Sequence, residues 1–146
     1  MKHVLIFFTI CIGLLFWKCS PSIFKNYHGE CIGLEYDGYV KLMMTNSDKK
    51  YSLNQAEKEA VHLLLYSGFV GSKNCQTQPP ILRNEEQIKK FKVIESDFFS
   101  DNGNWRRFVK SNSVKNTSQN IVFVSRDQLI NYLQEKLIIK SLNSGF

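Results

Sequence analysis

Ser52-Leu-Asn-Gln-Ala-Glu-Lys-Glu-Ala-Val-His-Leu-Leu-Leu-Tyr-Ser-Gly68 is the stretch on which the fold turns, because it carries a start signal, an inward stripe and a stop signal for one helix. Asn54 suits the cap, with its side chain accepting from first-turn amides, and Glu57 three residues on can reach back as in a capping box. Ala56, Ala60 and Leu64 recur every four residues with Leu63 alongside, which makes one continuous apolar face. The early alanines allow close approach to a sheet. Gly68 can take the left-handed conformation that ends a helix.

Outward from that helix, the 146 residues suffice for one domain with one core. The chain is 43% hydrophobic and 22% charged, a globular balance rather than a disordered one. Net charge is +6; setting aside Lys2 and Lys18 of the N-terminal segment leaves 17 basic against 13 acidic side chains, +4 for the body. An excess of that size reads as solubility, and Lys89, Lys90 and Lys92 alternate with Glu85, Glu86 and Glu95 as a solvated helix face does. No nucleic-acid partner is expected.

The N-terminus reads as an address. Met1-Lys2-His3 leads into fourteen largely apolar residues, Val4 to Trp17, too short a run to span a membrane and right for a secretory signal. Residues 1–22 are therefore assigned as a signal peptide, 23–30 as a tether and 31–146 as a single domain. Cys19-Ser-Pro-Ser22 resembles a lipoprotein signal with Cys19 as the lipidated residue, although Phe16-Trp17-Lys18 departs from the small residues usual before that cysteine. Cleavage after Ser22 and an uncleaved anchor are the alternatives. Localisation is expected in the periplasm or at the outer membrane. In an oxidising compartment Cys31 and Cys75 of the body can form a disulfide; the alternative is two free or buried thiols.

In order, Cys31–Tyr36 and Tyr39–Thr45 read as strands around the turn dipeptide Asp37-Gly38. After Gly68 comes a long Gly/Pro-rich connection. Its Phe69, Val70, Gln78, Pro79 and Pro80 are the candidate partner surface, against the alternative of a rigid linker. Asn84 with Gln87 starts a second helix carrying Ile88, Phe91, Ile94 and Phe98 through Ser100. Phe108–Lys115 and Gln119–Ser125 follow as strands, the latter apolar on both faces and hence central. Ser125 and Gln128 open the last helix, Arg126–Leu142, with Leu129, Leu133 and Leu137 as its stripe. The expectation is an α+β domain: an antiparallel or mixed sheet of about four strands in ββααββα order, packed against two or three helices.

Chemistry-bearing motifs are missing: GxSxG, HExxH, GxGxxG and GxxxxGK[ST] are absent. His62 lies beside the apolar stripe and reads as structural; an enzyme would need it exposed in a cleft beside a carboxylate. No catalytic, cofactor or metal residues are assigned.

Asp37-Gly38-Tyr39, Gln55–Val61, Leu65-Tyr66-Ser67-Gly68, Gln78-Pro79-Pro80 and Phe98-Phe99…Trp105–Val109 together resemble a pattern of small exported Gram-negative envelope proteins of unknown function. In outline the chain is also similar to LPP20-like lipoproteins and to the N-terminal domain of flagellar assembly protein T. The resemblance implies a non-catalytic, protein-binding or structural module of an envelope assembly, with an envelope protein as partner. The alternative is a periplasmic small-molecule or peptide binder, with a pocket lined by Tyr36, Tyr39, Tyr66 and Trp105.

Overall fold

The computed structural model describes residues 24, 27–35, 37–47, 51–112 and 119–140. Residues 1–22, read above as a signal peptide and including Cys19, residues 113–118 and the chain beyond Lys140 lie outside them. The order is β1 (Tyr27–Leu34), β2 (Tyr39–Asn46), α1 (Leu53–Tyr66), α2 (Glu85–Lys92), α3 (Glu95–Phe98), a 3-10 turn (Asn104–Phe108), β3 (Val109–Asn112), β4 (Gln119–Ser125) and α4 (Arg126–Glu135). The strands make one open antiparallel sheet, β1-β2-β4-β3, so the fold is a small α+β domain with β4 inside the sheet.

Period-two alternation places Val40, Leu42 and Met44 of β2 with Val122 and Val124 of β4 on the face that α1 covers, all 3% exposed or less. On the opposite face Phe123 is sheltered by the stem of Lys41, whose ammonium lies 5.4 Å from the ring centroid. Behind α1 an aromatic cluster fills the second half of the core. Phe98 packs against Phe91 at 5.2 Å, Phe99 at 4.9 Å and Tyr132 at 5.7 Å between ring centroids. Trp105 is wholly buried and donates its indole N–H to Ser100 O at 2.8 Å.

Local chemistry explains where the elements depart from the expected bounds. β1 begins at Tyr27 rather than Cys31, so half of the stretch assigned as tether is strand. Tyr-His-Gly-Glu is a poor strand sequence by propensity. Gly29 lets β1 lie close over the core, since a Cβ there would meet Leu63 Cδ2 and come within 2.8 Å of Met44 Sδ, and both side-chain ends would have to shift. Four residues, 35–38, separate β1 from β2, not two. Gly38 N–H donates to Glu35 O at 3.1 Å, Glu35 N–H donates to Tyr39 O at 2.9 Å, and Gly38 sits at φ +80, the left-handed conformation a glycine takes without strain. The cap of α1 is Ser52, whose Oγ accepts from Gln55 N–H at 3.1 Å; Asn54 is already inside the helix.

The helix expected through Ser100 breaks after Lys92 and restarts at Glu95, so four α-helices rather than two or three accompany the sheet among the described residues. At the break Ile94 N–H donates to Phe91 O at 2.9 Å, a tighter turn that leaves Val93 84% exposed, while Phe91, Phe98 and Phe99 are all buried. The last helix stops at Glu135 instead of Leu142. Leu137 takes φ +56 and is 79% exposed, off the expected stripe, while Ile138 donates its N–H to Leu133 O at 2.9 Å and enters the core.

Candidate functional site

The C-terminal end of α1 organises the surface beside it. Ser67 and Gly68 donate their N–H groups to Leu63 O, with Gly68 left-handed at φ +67 as expected. Ile81 N–H then satisfies Leu64 O at 2.9 Å and Leu82 N–H satisfies Leu65 O at 3.0 Å. The helix carbonyls that would otherwise be orphaned are thus capped from a segment arriving later in the chain. Between these two anchorages the Gly/Pro-rich connection is a small hairpin, in which Phe69 and Gln78 exchange both backbone bonds and Ser72 bridges Cys75.

Two bonds hold the hairpin's tip against β1. Cys31 and Cys75 are joined in a disulfide, Cα–Cα 6.0 Å, and Ser72 Oγ donates to Cys31 O at 2.8 Å. Toward the other end of β1 the hairpin and strand part, leaving an open groove of about 460 Å³. Residues 27–30 of β1 form one wall, and Phe69, Val70, Gln78 and Pro79 the other, over Leu63. Four of the five residues named as a partner surface therefore meet in one place. Pro80 lies outside it, and Phe69, only 6% exposed, is floor rather than contact surface. Val70 is 80% exposed on the rim.

A polar layer backs the groove. Tyr27 OH lies 2.6 Å from His62 Nδ1, and burial, with the Glu59 carboxylate adding to it, pushes the Tyr27 hydroxyl up to about 12. A protonated Tyr27 hydroxyl and the His62 ring thus share one hydrogen bond, its direction set by the imidazole tautomer. His62 is stacked on Phe24 at 4.1 Å and tilted on Tyr66 at 4.6 Å, and burial lowers its pKa from 6.5 to about 4. It packs among Phe24, Tyr27, Tyr66 and Phe99, and no carboxylate hydrogen-bonds to it among the described residues. Because the folded value lies below the unfolded one, His62 contributes stability that is whole above pH 6.5 and declines as pH falls toward 4. Urea midpoints at pH 7 and 5 should therefore fall further for the native chain than for His62→Phe, which keeps a ring in the stack and removes the titration.

Glu59, one residue before Ala60 on the inward side of α1, is wholly buried. Its carboxylate accepts from Tyr51 OH at 2.7 Å, Gln55 Nε2 at 2.8 Å and Asn46 Nδ2 at 3.3 Å. Burial and that hydrogen bond raise the Tyr51 hydroxyl well above its ordinary value. Sequence reading missed this group, although its spacing of three from Ala56 and four to Leu63 puts it on the buried stripe.

Comparison with protein-family models, with curated proteins and with solved structures finds no match. The residues themselves must carry the functional argument.

Of the residues expected to line a pocket between sheet and helices, the three that are described do not line the groove. Trp105 is wholly buried, Tyr39 is 8% exposed beneath Lys110 Nζ at 4.0 Å, and Tyr66 OH donates to Glu95 at 2.8 Å; Tyr36 lies outside the described residues. Arg106, 4.6 Å from the Trp105 centroid, covers a core aromatic rather than presenting a stacking surface. Among the described residues no helix is long and apolar enough to cross a membrane.

Proposed function

We propose that the chain is a non-catalytic, exported envelope protein that docks a protein partner in the groove between β1 and the disulfide-pinned hairpin. The observation that carries this is the hairpin itself: a connection between helices is drawn into an ordered wall, tied twice to β1, with an apolar floor and an 80%-exposed valine at its lip. Ordered long loops on a rigid scaffold are where binding residues concentrate. A disulfide in the body suits an oxidising compartment, which supports reading residues 1–22 as an export signal. The second reading is a periplasmic peptide or small-molecule binder, which the groove's volume also suits.

Val70→Glu tests the site. The side chain is exposed and outside the core, so the melting temperature should hold while recovery of crosslinked partner from the native envelope falls at least about tenfold. Val93→Glu, 84% exposed but not in the groove, is the control and should change neither. Equal recovery from the native chain and Val70→Glu would remove the groove from the function.

A further inference from the structure

We propose that the groove takes an extended segment of the partner as an added strand on the free edge of β1, which rests on the groove being the partner site. Residues along a strand send their N–H and C=O groups to alternate edges. Thr45 Oγ1 of β2 donates to His28 O at 3.4 Å, so His28 faces β2; Cys31 O accepts from Ser72 Oγ on the opposite side. Pairing with β2 runs without slippage from Tyr27 through Cys31, the register shifting only afterwards. Tyr27 and Gly29 therefore direct their backbone groups to the free edge. Among the described residues no backbone bond outside the sheet reaches either of them.

That edge is closed at Cys31 by the disulfide and Ser72, and open along residues 27–30, all of which line the groove. It presents donors and acceptors in pairs two residues apart, about 6.6 Å, which is the repeat an extended polypeptide matches. A second copy of this chain is a poor fit, because its own β1 edge carries the same pinned hairpin and the two walls would compete for one space. A slim segment of about four residues fits instead. It would set an apolar side chain over Leu63 and Phe69, and leave the alternate side chains free of the floor.

The probe is a labelled hexapeptide library with Val, Ile, Leu or Phe fixed at alternate positions and the positions between randomised. The tightest binder is remade with a single N-methyl amide at each position in turn. Strand addition predicts that alternate methylations weaken binding at least about tenfold while their neighbours leave it unchanged. It also predicts that deuterium exchange at the Gly29 amide, which no backbone bond outside the sheet reaches among the described residues, slows at least about tenfold on binding. The proposal is overturned by a library without binders, by methylation losses that do not alternate, or by unchanged exchange at Gly29. If any of these occurs while Val70→Glu still abolishes partner recovery, the groove is a partner site engaged in another way. If Val70→Glu is silent too, the partner reading itself fails.

Discussion

Reducing the Cys31–Cys75 bond is expected to lower the unfolding free energy by about 4 kcal/mol, the chain-entropy value for a bond across a sequence separation of 44. For a domain of this size that is a large part of the whole. Its consequence is also local. The bond and Ser72 Oγ–Cys31 O together tie the hairpin tip to β1, and without the disulfide a single neutral hydrogen bond of about 1 kcal/mol would be left to hold that tip. Denaturant titrations with and without a phosphine reductant measure the first effect. The double variant Cys31→Ala/Cys75→Ala separates loss of the bond from exposure of thiols. Partner recovery under the same reducing conditions should fall even where the protein remains folded. A change under about 1 kcal/mol would mean that the hairpin's position is set by its backbone bonds to α1 instead.

Removing the Glu59 carboxylate should cost nearly as much. Glu59→Ala leaves Tyr51 OH, Gln55 Nε2 and Asn46 Nδ2 without this acceptor and opens a cavity under α1, a loss of about 3 kcal/mol or more. Glu59→Gln keeps the volume but turns an NH₂ toward donors, and should cost about 1–2 kcal/mol. Calorimetry of both variants checks the order. Equal effects would show that volume alone matters at this position.

Much of this architecture was legible because local and tertiary demands agree. In α1 the apolar spacing, the start signal and Gly68 all point to one helix, and Ala56, Ala60 and Leu64 are buried as the spacing requires. β4 was legible for the same reason: two apolar faces demand a central strand. Tyr27–Glu30 was not, since its strand character comes from pairing with β2 and from the space a glycine leaves for Leu63 and Met44. The break between α2 and α3 was not legible either, since Val93-Ile94 carries neither glycine nor proline and the tighter turn shows only in the bond from Ile94 N–H to Phe91 O. Ending α4 at Glu135 is a similar case, because a left-handed leucine at 137 is tolerated to seat Ile138.

The site was legible in part. The Gly/Pro composition singled out Phe69–Pro80, and pairing Cys31 with Cys75 named the tie. The opposite wall could not be read, because residues 27–30 were expected to be a tether. Glu59 was hidden by its charge, which ordinarily marks a solvated position, until Tyr51, Gln55 and Asn46 are seen to surround it.

The most direct measurement is site-specific photocrosslinking in the native envelope, with a photoreactive side chain at position 70 and, separately, at position 93. A discrete adduct with one protein from position 70, lost on reduction of the disulfide and not formed from position 93, is the predicted result. Adducts formed equally from both positions, or from 93 alone, would contradict a partner seated in the groove.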